Sequence, residues 1–515
     1  MSQNQKVVVI GCGPVGSLAA LYAARRGYPT ELYDLRDDPN HGDSTLRPDI
    51  AVIPLGLSER GIRAIEGANV PGLLDDILSD DRPTYTRMVH IQDAKGKLTE
   101  MRMSYGPHGQ CLHTIQREKV SNCCLLALEK EPTAKLMFNH KMIDLDFDRK
   151  TITFELVAWK NKSLNMQRES TSDNVDRNAR PAETPAAGSQ DPSTPSAEGL
   201  RFKTVKFDFL IGADGTYSAV RQHLMRKVDI DFSQVYAKAI WCDLILAADE
   251  SGNYRMDPSS IHIWPADENI VVAQADIDGS FRAGVVCQAD LVRKYESRPE
   301  DFAEFFSTQF PGIIPELISA EDATAQFVAH QKISLRSVKM NRFGYRDDVL
   351  LLGDSSHTMT PFHAMGMITG LEDVRIFFEN FRDPVRAPGT RKNGQDIDNF
   401  CPEGAVAAYT ADRVRDVSAM VDLAHEHYHE LRHGIRSPFA RARKICDGIL
   451  SRWVPFLGWT SLYARIQFGH ERFSVVRRKE ARQRNIVNVL VISGMAASLY
   501  AAAIGSRSLM ALIQK

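Results

Sequence analysis

The chain has 515 residues, of which 43% are hydrophobic and 25% charged. Its formal charge of −2 argues against a nucleic-acid partner held by net electrostatic attraction, and its 8 scattered cysteines argue against a disulfide framework or a zinc site. Because one hydrophobic core rarely grows beyond about 250–300 residues, the chain is predicted to hold more than one domain.

A buried strand that breaks into a glycine turn opens the chain. Residues 7–10 are β-branched, which suits a strand buried on both faces, and Gly11, Gly13 and Gly16 follow before a predicted helix at 17–26. In the dinucleotide fingerprint the first glycine allows a tight turn, the second lets the backbone approach a pyrophosphate, and the third lets the helix pack on the strand. The turn therefore predicts a bound ADP moiety, with its phosphates at the helix N-terminus.

Aspartates stand at the ends of three further predicted strands: the second strand of the chain and two later apolar strands. Asp34 ends the second strand, near the spacing at which a fingerprint acid holds a ribose hydroxyl. Further on, Gly212-Ala-Asp214-Gly215 and Gly353-Asp354 each lead from a strand toward a predicted helix. We expect Asp214 and Gly215 to make a second cofactor contact, and Asp354 to accept a hydrogen bond from a ribitol or ribose hydroxyl.

Two segments stand out by composition. Residues 160–199 are rich in Ser, Asn, Pro and Ala, so they cannot bury enough apolar surface to offset their ordering entropy and are predicted to be a disordered insertion. Residues 486–504 carry no formal charge and have the length of a membrane-spanning helix. Five basic residues precede them and would hold the bulk of the protein on the cytosolic side: Arg477, Arg478, Lys479, Arg482 and Arg484. A tail anchor is predicted, with a buried helix or a membrane-surface helix as the alternative.

The three glycine and aspartate motifs, in this order, resemble those of the class A flavin monooxygenases. A more detailed resemblance, to the kynurenine 3-monooxygenase family, is carried by Arg87-Met-Val-His90, Ser104-Tyr-Gly106, His262-Ile-Trp-Pro265, Glu372-Asp373 and the basic-then-apolar tail. It implies an enzyme that holds FAD across all three motifs, is reduced by NADPH and uses O₂ to hydroxylate a small aromatic amino acid, L-kynurenine, in tryptophan catabolism. It also implies a place in the mitochondrial outer membrane, facing the cytosol.

The resemblance also assigns roles to single residues. It implies that Arg87, Tyr105 and Tyr428 hold the substrate carboxylate, a task that suits the fork of an arginine. It implies no metal ion and no certain catalytic side chain, since the chemistry belongs to the flavin; His357 and His363 are expected to have a structural role or to support the residues that contact the ligands. The implied FAD contacts are Gly11, Gly13, Gly16, Asp34, Arg117, Asp214, Gly215, Asp354, Gly366 and Met367.

Departures from the family pattern are concentrated near the expected flavin ring. Where the family usually has Pro-Phe-Phe-Gly-Gln-Gly-Met-Asn, this chain has Pro361-Phe-His-Ala-Met-Gly-Met-Ile368. Ala364 thus stands for a glycine, Met365 for a glutamine and Ile368 for an asparagine. A backbone contact to the flavin survives these changes if Ala364 adopts the required dihedral angles. The segment 47–54 is also altered.

Together these features predict an α/β fold. A Rossmann-like FAD-binding domain is interleaved with a β-sheet substrate domain, and a helical C-terminal region and tail anchor follow. The FAD-binding domain is predicted to be assembled from four segments, 1–90, 116–159, 200–232 and 341–383. Between and after them come substrate-domain strands over 91–115, the disordered insertion over 160–199, the β-sheet substrate domain over 233–340, a loop insertion over 384–404, the helical region over 405–484 and the anchor helix over 486–504.

Three other functions stay open at this point. A related class A monooxygenase acting on another aromatic compound would explain the replacements at Met365 and Ile368. A flavin-free NAD(P) dehydrogenase would explain the first glycine turn but not Asp214-Gly215 or Gly353-Asp354. A non-catalytic interaction protein with an ADP-binding fold would explain a lost active site, but not retained carboxylate-binding positions.

Overall fold

The computed structural model describes residues 5–40, 55–92, 96–105, 109–157, 202–383, 400–430, 438–453 and 459–513. The predicted insertion at 160–199, the altered segment at 47–54 and most of the predicted loop at 384–404 lie outside these residues.

A six-stranded sheet carries the glycine turn. All its neighbouring strands run parallel except for the edge strand Gly344–Tyr345. Ile10 pairs with Gly212, and Gly212 pairs with Leu351, so three adjacent strands end at one edge of the sheet. In spatial order the strands are Gly344–Tyr345, Val349–Leu351, Phe209–Gly212, Val7–Ile10, Thr30–Tyr33 and Ala134–Met137.

The first strand and helix form for local reasons. Val7, Val8 and Val9 are fully buried, as expected of a central parallel strand. The helix begins at Pro14, earlier than predicted, because proline suits the first helical turn. The described helices are Pro14–Arg25, Glu59–Glu66, Leu73–Leu78, Arg117–Glu129, Ala219–Lys227, Ala289–Ser297, Phe302–Gln309, Ala320–Ala329, Gly366–Ile376, Ala405–His429, Pro438–Trp453, Leu462–Gln467 and Phe473–Ile513.

A second sheet has seven strands. Its neighbours are antiparallel except for Ser260–Ala266 and Thr86–Gln92, which run parallel. Thr86–Gln92 crosses the predicted domain boundary at residue 90 and lies wholly in this sheet. In spatial order the strands are Lys332–Met340, Phe232–Leu246, Phe281–Gln288, Asn269–Ala275, Ser260–Ala266, Thr86–Gln92 and Leu98–Ser104.

The two faces of this sheet have different surroundings. Trp264 belongs to an apolar cluster with Phe302 and Phe306 of the helices. Ile263, on the opposite face, belongs to a cluster with Tyr428. Side chains alternate along a strand, so this second face is the one that meets the C-terminal part of the chain.

Two three-stranded sheets complete the strands described. One is ordered Leu55–Leu57, Leu112–Ile115 and Arg82–Thr84, and the other Phe202–Lys206, Thr151–Leu156 and His140–Asp146.

The C-terminal helices cover the loop that departs from the family pattern. Met365 and Ile368 are completely buried in a cluster with Met420, Ile466 and Phe473. Polar side chains at these two positions would be buried among apolar groups at a cost in stability. The two replacements are therefore explained by packing against the C-terminal helices.

The predicted tail anchor is not confirmed. Among the residues described, no helix combines the length and the apolar character needed to cross a membrane. The helix Phe473–Ile513 includes the predicted stretch, some of which lies beyond the residues whose side chains are described. In the described portion, Val487 and Val491 are buried, whereas Val489 and Ile492 are exposed.

Candidate active site

The three glycines of the first turn meet different surroundings. Gly11 has φ of +103°, and a Cβ on it would lie 2.4 Å from the carbonyl oxygen of Ala213. A Cβ on Gly16 would lie 1.8 Å from the carbonyl oxygen of Gly11. A Cβ on Gly13 would meet only the guanidinium of Arg117, at 3.9 Å. Gly11 and Gly16 are thus required by packing, whereas Gly13 faces open space.

That open space is a cleft suited to a pyrophosphate. Gly13, Arg36 and Arg117 line it, together with the acids Asp37 and Glu118, at the N-terminus of the helix Pro14–Arg25. Two guanidinium groups and the positive end of a helix dipole attract the same kind of ligand, a phosphate. The residues present therefore fit the diphosphate of a dinucleotide.

Asp34 is already engaged by the protein. Its carboxylate accepts hydrogen bonds from the Cys12 amide at 2.7 Å and from the Arg36 amide and guanidinium at 2.8 to 2.9 Å. Burial by itself would raise the pKa of Asp34, but the hydrogen bonds and charge of Arg36 lower it to about 2. The predicted contact of Asp34 with a ribose hydroxyl stays a prediction.

Asp214 joins the second and third motifs. Its Oδ2 accepts from the amides of Ala219 and Val220 at 2.6 and 3.1 Å, and its Oδ1 accepts from the Ser355 hydroxyl at 3.0 Å. The Gly215 amide also donates to Ser355, at 3.0 Å. Asp214 therefore holds two loops together, while Gly215, with φ of +82°, has nothing within 4 Å of where its Cβ would be.

Asp354 lies close to the start of the helix at Gly366, and its predicted contact with FAD stays a prediction, as do those of Gly366 and Met367. A Cβ on Gly366 would lie 4.0 Å from Asp354 Oδ1, and Gly366 begins the helix Gly366–Ile376. Ala364 takes the left-handed conformation, with φ of +55° and ψ of 29°. Ala364 therefore adopts the left-handed conformation typical of the glycine that it replaces, which was the condition for keeping a backbone contact to the flavin.

A buried charge cluster lies beneath these loops, and its geometry was not predicted from the sequence. Arg413 donates to Asp373, Glu372 and Asp416 at 2.8, 2.8 and 2.9 Å, and all four residues are buried. Arg60 donates to Glu372 at 2.6 Å. The only signal in the sequence was the acidic pair 372–373.

One carboxylate of this cluster, that of Asp373, contacts the motif Gly353-Asp354. Asp373 Oδ2 accepts from the Gly353 amide at 3.2 Å and from His357 Nε2 at 2.6 Å. Burial raises the pKa of Asp373, but His357 and Arg413 outweigh it and lower the pKa overall. Asp373 therefore stays ionised and fixes the turn that presents Asp354.

A cavity of about 820 Å³, including its mouth, lies between the seven-stranded sheet and loop 361–365. We call it the substrate cavity. Its wall is mostly apolar, and Ala364 brings it next to the predicted flavin edge. Its lining residues are Gly56, Arg87, Leu112, Trp241, Ile261, Ile263, Ile270, Val272, Gln274, Pro361, Phe362, His363, Ala364, His427 and Tyr463.

Arg87 is the charged side chain of this wall. Its guanidinium lies 3.6 Å from the ring centre of Tyr463 and 5.4 Å from that of Tyr105, and these two rings stack at 5.0 Å. Among the described residues, no acid forms an ion pair with Arg87. The structure thus presents a cation beside a pair of stacked aromatic rings and open to an anionic ligand.

The two other predicted substrate residues differ in position. Tyr105 is buried beside Arg87. Tyr428 is not among the residues of the cavity wall but stacks on Phe362, with ring centres 4.4 Å apart. Tyr463, which sequence reasoning missed, stands next to Arg87 instead. It comes from the short helix Leu462–Gln467, in which no sequence motif marks it.

Comparisons with known proteins agree with this geometry. The family described as FAD binding domain matches residues 163–387. Kynurenine 3-monooxygenase of Aspergillus oryzae is 35% identical over 507 residues, covering 98% of this chain and 92% of the relative. That of Neurospora crassa is 37% identical over 502 residues, covering 96% and 91%.

Solved structures show the same fold at low identity. The tetrameric form of 2-methyl-3-hydroxypyridine-5-carboxylic acid oxygenase has a TM-score of 0.58 at 16% identity, covering 85% of this chain and 95% of its own. PqsL of Pseudomonas aeruginosa, described as a probable FAD-dependent monooxygenase, has a TM-score of 0.54 at 18% identity, covering 84% and 97%. The predicted α/β fold and FAD cofactor are confirmed, and the chain belongs to the kynurenine 3-monooxygenase family.

Proposed function

We propose that this protein hydroxylates L-kynurenine to 3-hydroxy-L-kynurenine, consuming NADPH and O₂ and releasing NADP⁺ and water. The observation that carries the proposal is Arg87, a cation without an acidic partner among the described residues, at the wall of an apolar cavity. An aromatic amino acid offers the matching pair of groups, a carboxylate and a flat apolar ring.

FAD fits the residues that surround the strand ends. The diphosphate would bind at Gly13 between Arg36 and Arg117, and the ribityl chain at Asp354. Bound FAD would supply the chemistry of hydride acceptance from NADPH and of O₂ activation for transfer of one oxygen atom to the substrate ring. The amides at Gly366 and Met367 begin a helix, so they would stabilise negative charge at the ring edge.

The chain itself binds and orients the substrate. Arg87 would hold the carboxylate by charge-assisted hydrogen bonds, with the Tyr105 hydroxyl beside it. The aromatic ring would lie against Ile263, Ile270 and Val272, which exclude water from the reacting edge. No proton transfer by a side chain is needed to hydroxylate an electron-rich aniline.

The replacements at Met365 and Ile368 do not favour another substrate. Both side chains point into the apolar cluster with Met420 and Phe473 and are absent from the cavity wall. Their change is a matter of core packing, and the substrate cavity keeps the arginine and apolar surface that L-kynurenine requires.

Purification with bound flavin tests the proposal. We expect a yellow protein whose NADPH oxidation is accelerated by L-kynurenine, with 3-hydroxy-L-kynurenine as the product detected by mass spectrometry. A colourless protein would contradict flavin chemistry. A yellow protein that neither responds to L-kynurenine nor forms this product would rule out the proposed substrate.

We further infer that the C-terminal helix attaches the protein to the mitochondrial outer membrane. Its described portion exposes apolar side chains, among them Ile486, Val489, Leu490 and Ile492, after a basic segment. A chain that ends at Ser493 keeps the buried contacts of Val487 and Val491 and should move from the membrane fraction to the cytosol. Equal partition of both chains would contradict the attachment.

A further inference from the structure

His363 is a buried histidine whose ring lies near the backbone of Leu423 but, among the described residues, makes no hydrogen bond of ordinary geometry. It ends the turn Pro361–His363, is 2% exposed and lines the substrate cavity. Neither Nδ1 nor Nε2 finds a partner in the described portion of the chain. Its ring stacks on His427 with centres 4.2 Å apart, and Gln467 donates to its carbonyl oxygen at 2.6 Å. The side chain is therefore held in place by stacking and by its backbone.

These contacts do not satisfy the imidazole. A neutral imidazole carries one N–H donor and one bare nitrogen acceptor, and buried polar groups in folded proteins are normally paired. The sequence predicted a structural or supporting role for His363, but a structural histidine would be hydrogen-bonded within the protein. Because His363 lines the substrate cavity, although its two nitrogens are covered, a bound ligand that displaces the covering groups is the natural source of its partner.

The surroundings determine which partner fits. Burial lowers the pKa of His363 well below its usual value, the charges of His427 and Arg87 act in the same direction, and the backbone of Leu423 opposes them only weakly. The ring is therefore neutral and keeps its acceptor nitrogen. In an α-amino acid the ammonium group is attached to the same carbon as the carboxylate. A carboxylate held by Arg87 would thus bring an N–H donor close to His363.

We propose that His363 accepts a hydrogen bond from the α-ammonium group of the substrate whose carboxylate binds Arg87, and so selects α-amino acids over their desamino analogues. The inference rests on the proposed function, since L-kynurenine supplies both groups. It assigns His363 to substrate recognition, at a position where the usual family pattern has a phenylalanine that cannot make this bond.

Ligand binding to the full-length FAD-containing protein tests this without turnover. The dissociation constants of L-kynurenine and of its desamino analogue, 4-(2-aminophenyl)-4-oxobutanoate, would be measured from flavin absorbance changes in the absence of NADPH. Three variants are compared with the natural chain: His363→Phe, His363→Gln and Arg87→Met. The flavin spectrum of each variant shows that it has folded with its cofactor.

The expected pattern separates the two contacts. His363→Phe should weaken L-kynurenine binding about 10- to 100-fold, the effect of one hydrogen bond to a charged group, and change binding of the analogue less than about 3-fold. His363→Gln, which keeps an acceptor, should retain most of the preference for L-kynurenine. Arg87→Met should weaken both ligands by the same factor, because both carry the carboxylate.

Two results would overturn the assignment. Equal loss of both ligands in His363→Phe would show that His363 only shapes the cavity, and unchanged binding of both would show no contact. The natural protein's failure to bind L-kynurenine would instead refute the proposed function, and the inference with it. The natural chain and the variants thus distinguish the two failures.

Discussion

Replacing Arg413 should destabilise the protein more than any surface change on the same helix. Arg413 forms ion pairs with three buried carboxylates, those of Glu372, Asp373 and Asp416. Arg413→Met leaves Arg60 on Glu372 and Arg472, at 3.8 Å, on Asp416. Asp373 then keeps the contact with His357 as its one ion pair among the described residues. Removing one partner of a buried ion pair costs about 3–5 kcal/mol, so we expect a loss of this size in the free energy of unfolding.

Urea unfolding measures this loss, followed by circular dichroism and by the fluorescence of released flavin. Because Asp373 also binds the Gly353 amide, flavin should be released at a lower urea concentration than in the natural protein. Arg415→Met is the matched control, since Arg415 is exposed on the same helix. A loss below about 1 kcal/mol, similar to that of the control, would refute the view that Arg413 neutralises the cluster.

Three further predictions concern the cofactor loops. Ala364→Gly should raise the free energy of unfolding in urea by about 0.5–1 kcal/mol. The left-handed conformation at φ of +55° costs alanine roughly 1–2 kcal/mol, and the greater unfolded-state entropy of glycine offsets about 0.4–1 kcal/mol of that gain. An unchanged urea midpoint would contradict strain at this turn. Gly13→Ala should fold normally but bind FAD weakly, as judged by flavin retention on gel filtration. Gly16→Ala should fail to fold, because its Cβ would lie 1.8 Å from a carbonyl oxygen. The reverse outcome would contradict the assigned roles. The pKa of Asp34 falls from 3.8 to about 2 on folding, so Asp34 should add about 2 kcal/mol to the free energy of unfolding above pH 4 and lose this contribution as the pH falls toward 2. In acid titrations, Asp34→Asn should make the free energy of unfolding depend less on pH over this range. An equal slope of free energy against pH in both proteins would contradict this prediction.

The cofactor edge could be predicted because it follows from local rules. Parallel strands that are neighbours in a sheet end at the same edge, so glycine turns after three apolar strands converge without further information. Alternation along Thr86–Gln92 places Arg87 and His90 on opposite faces. The different roles of the three glycines could also be predicted from the fingerprint. In the structure, a Cβ on Gly11 or Gly16 would meet backbone atoms, whereas a Cβ on Gly13 would not.

The sequence thus predicted the α/β fold class and the FAD cofactor, both confirmed, whereas the individual FAD contacts and the role of Arg87 stay predictions. Only the tertiary structure decided which side chains share their surroundings. It placed Tyr463 rather than Tyr428 beside Arg87 and gave Met365 an apolar environment. It also left the ring nitrogens of His363 without a hydrogen bond of ordinary geometry among the described residues. These outcomes depend on helices far away along the chain, such as Leu462–Gln467. Packing between distant segments leaves no periodicity or motif in the sequence from which it could be predicted.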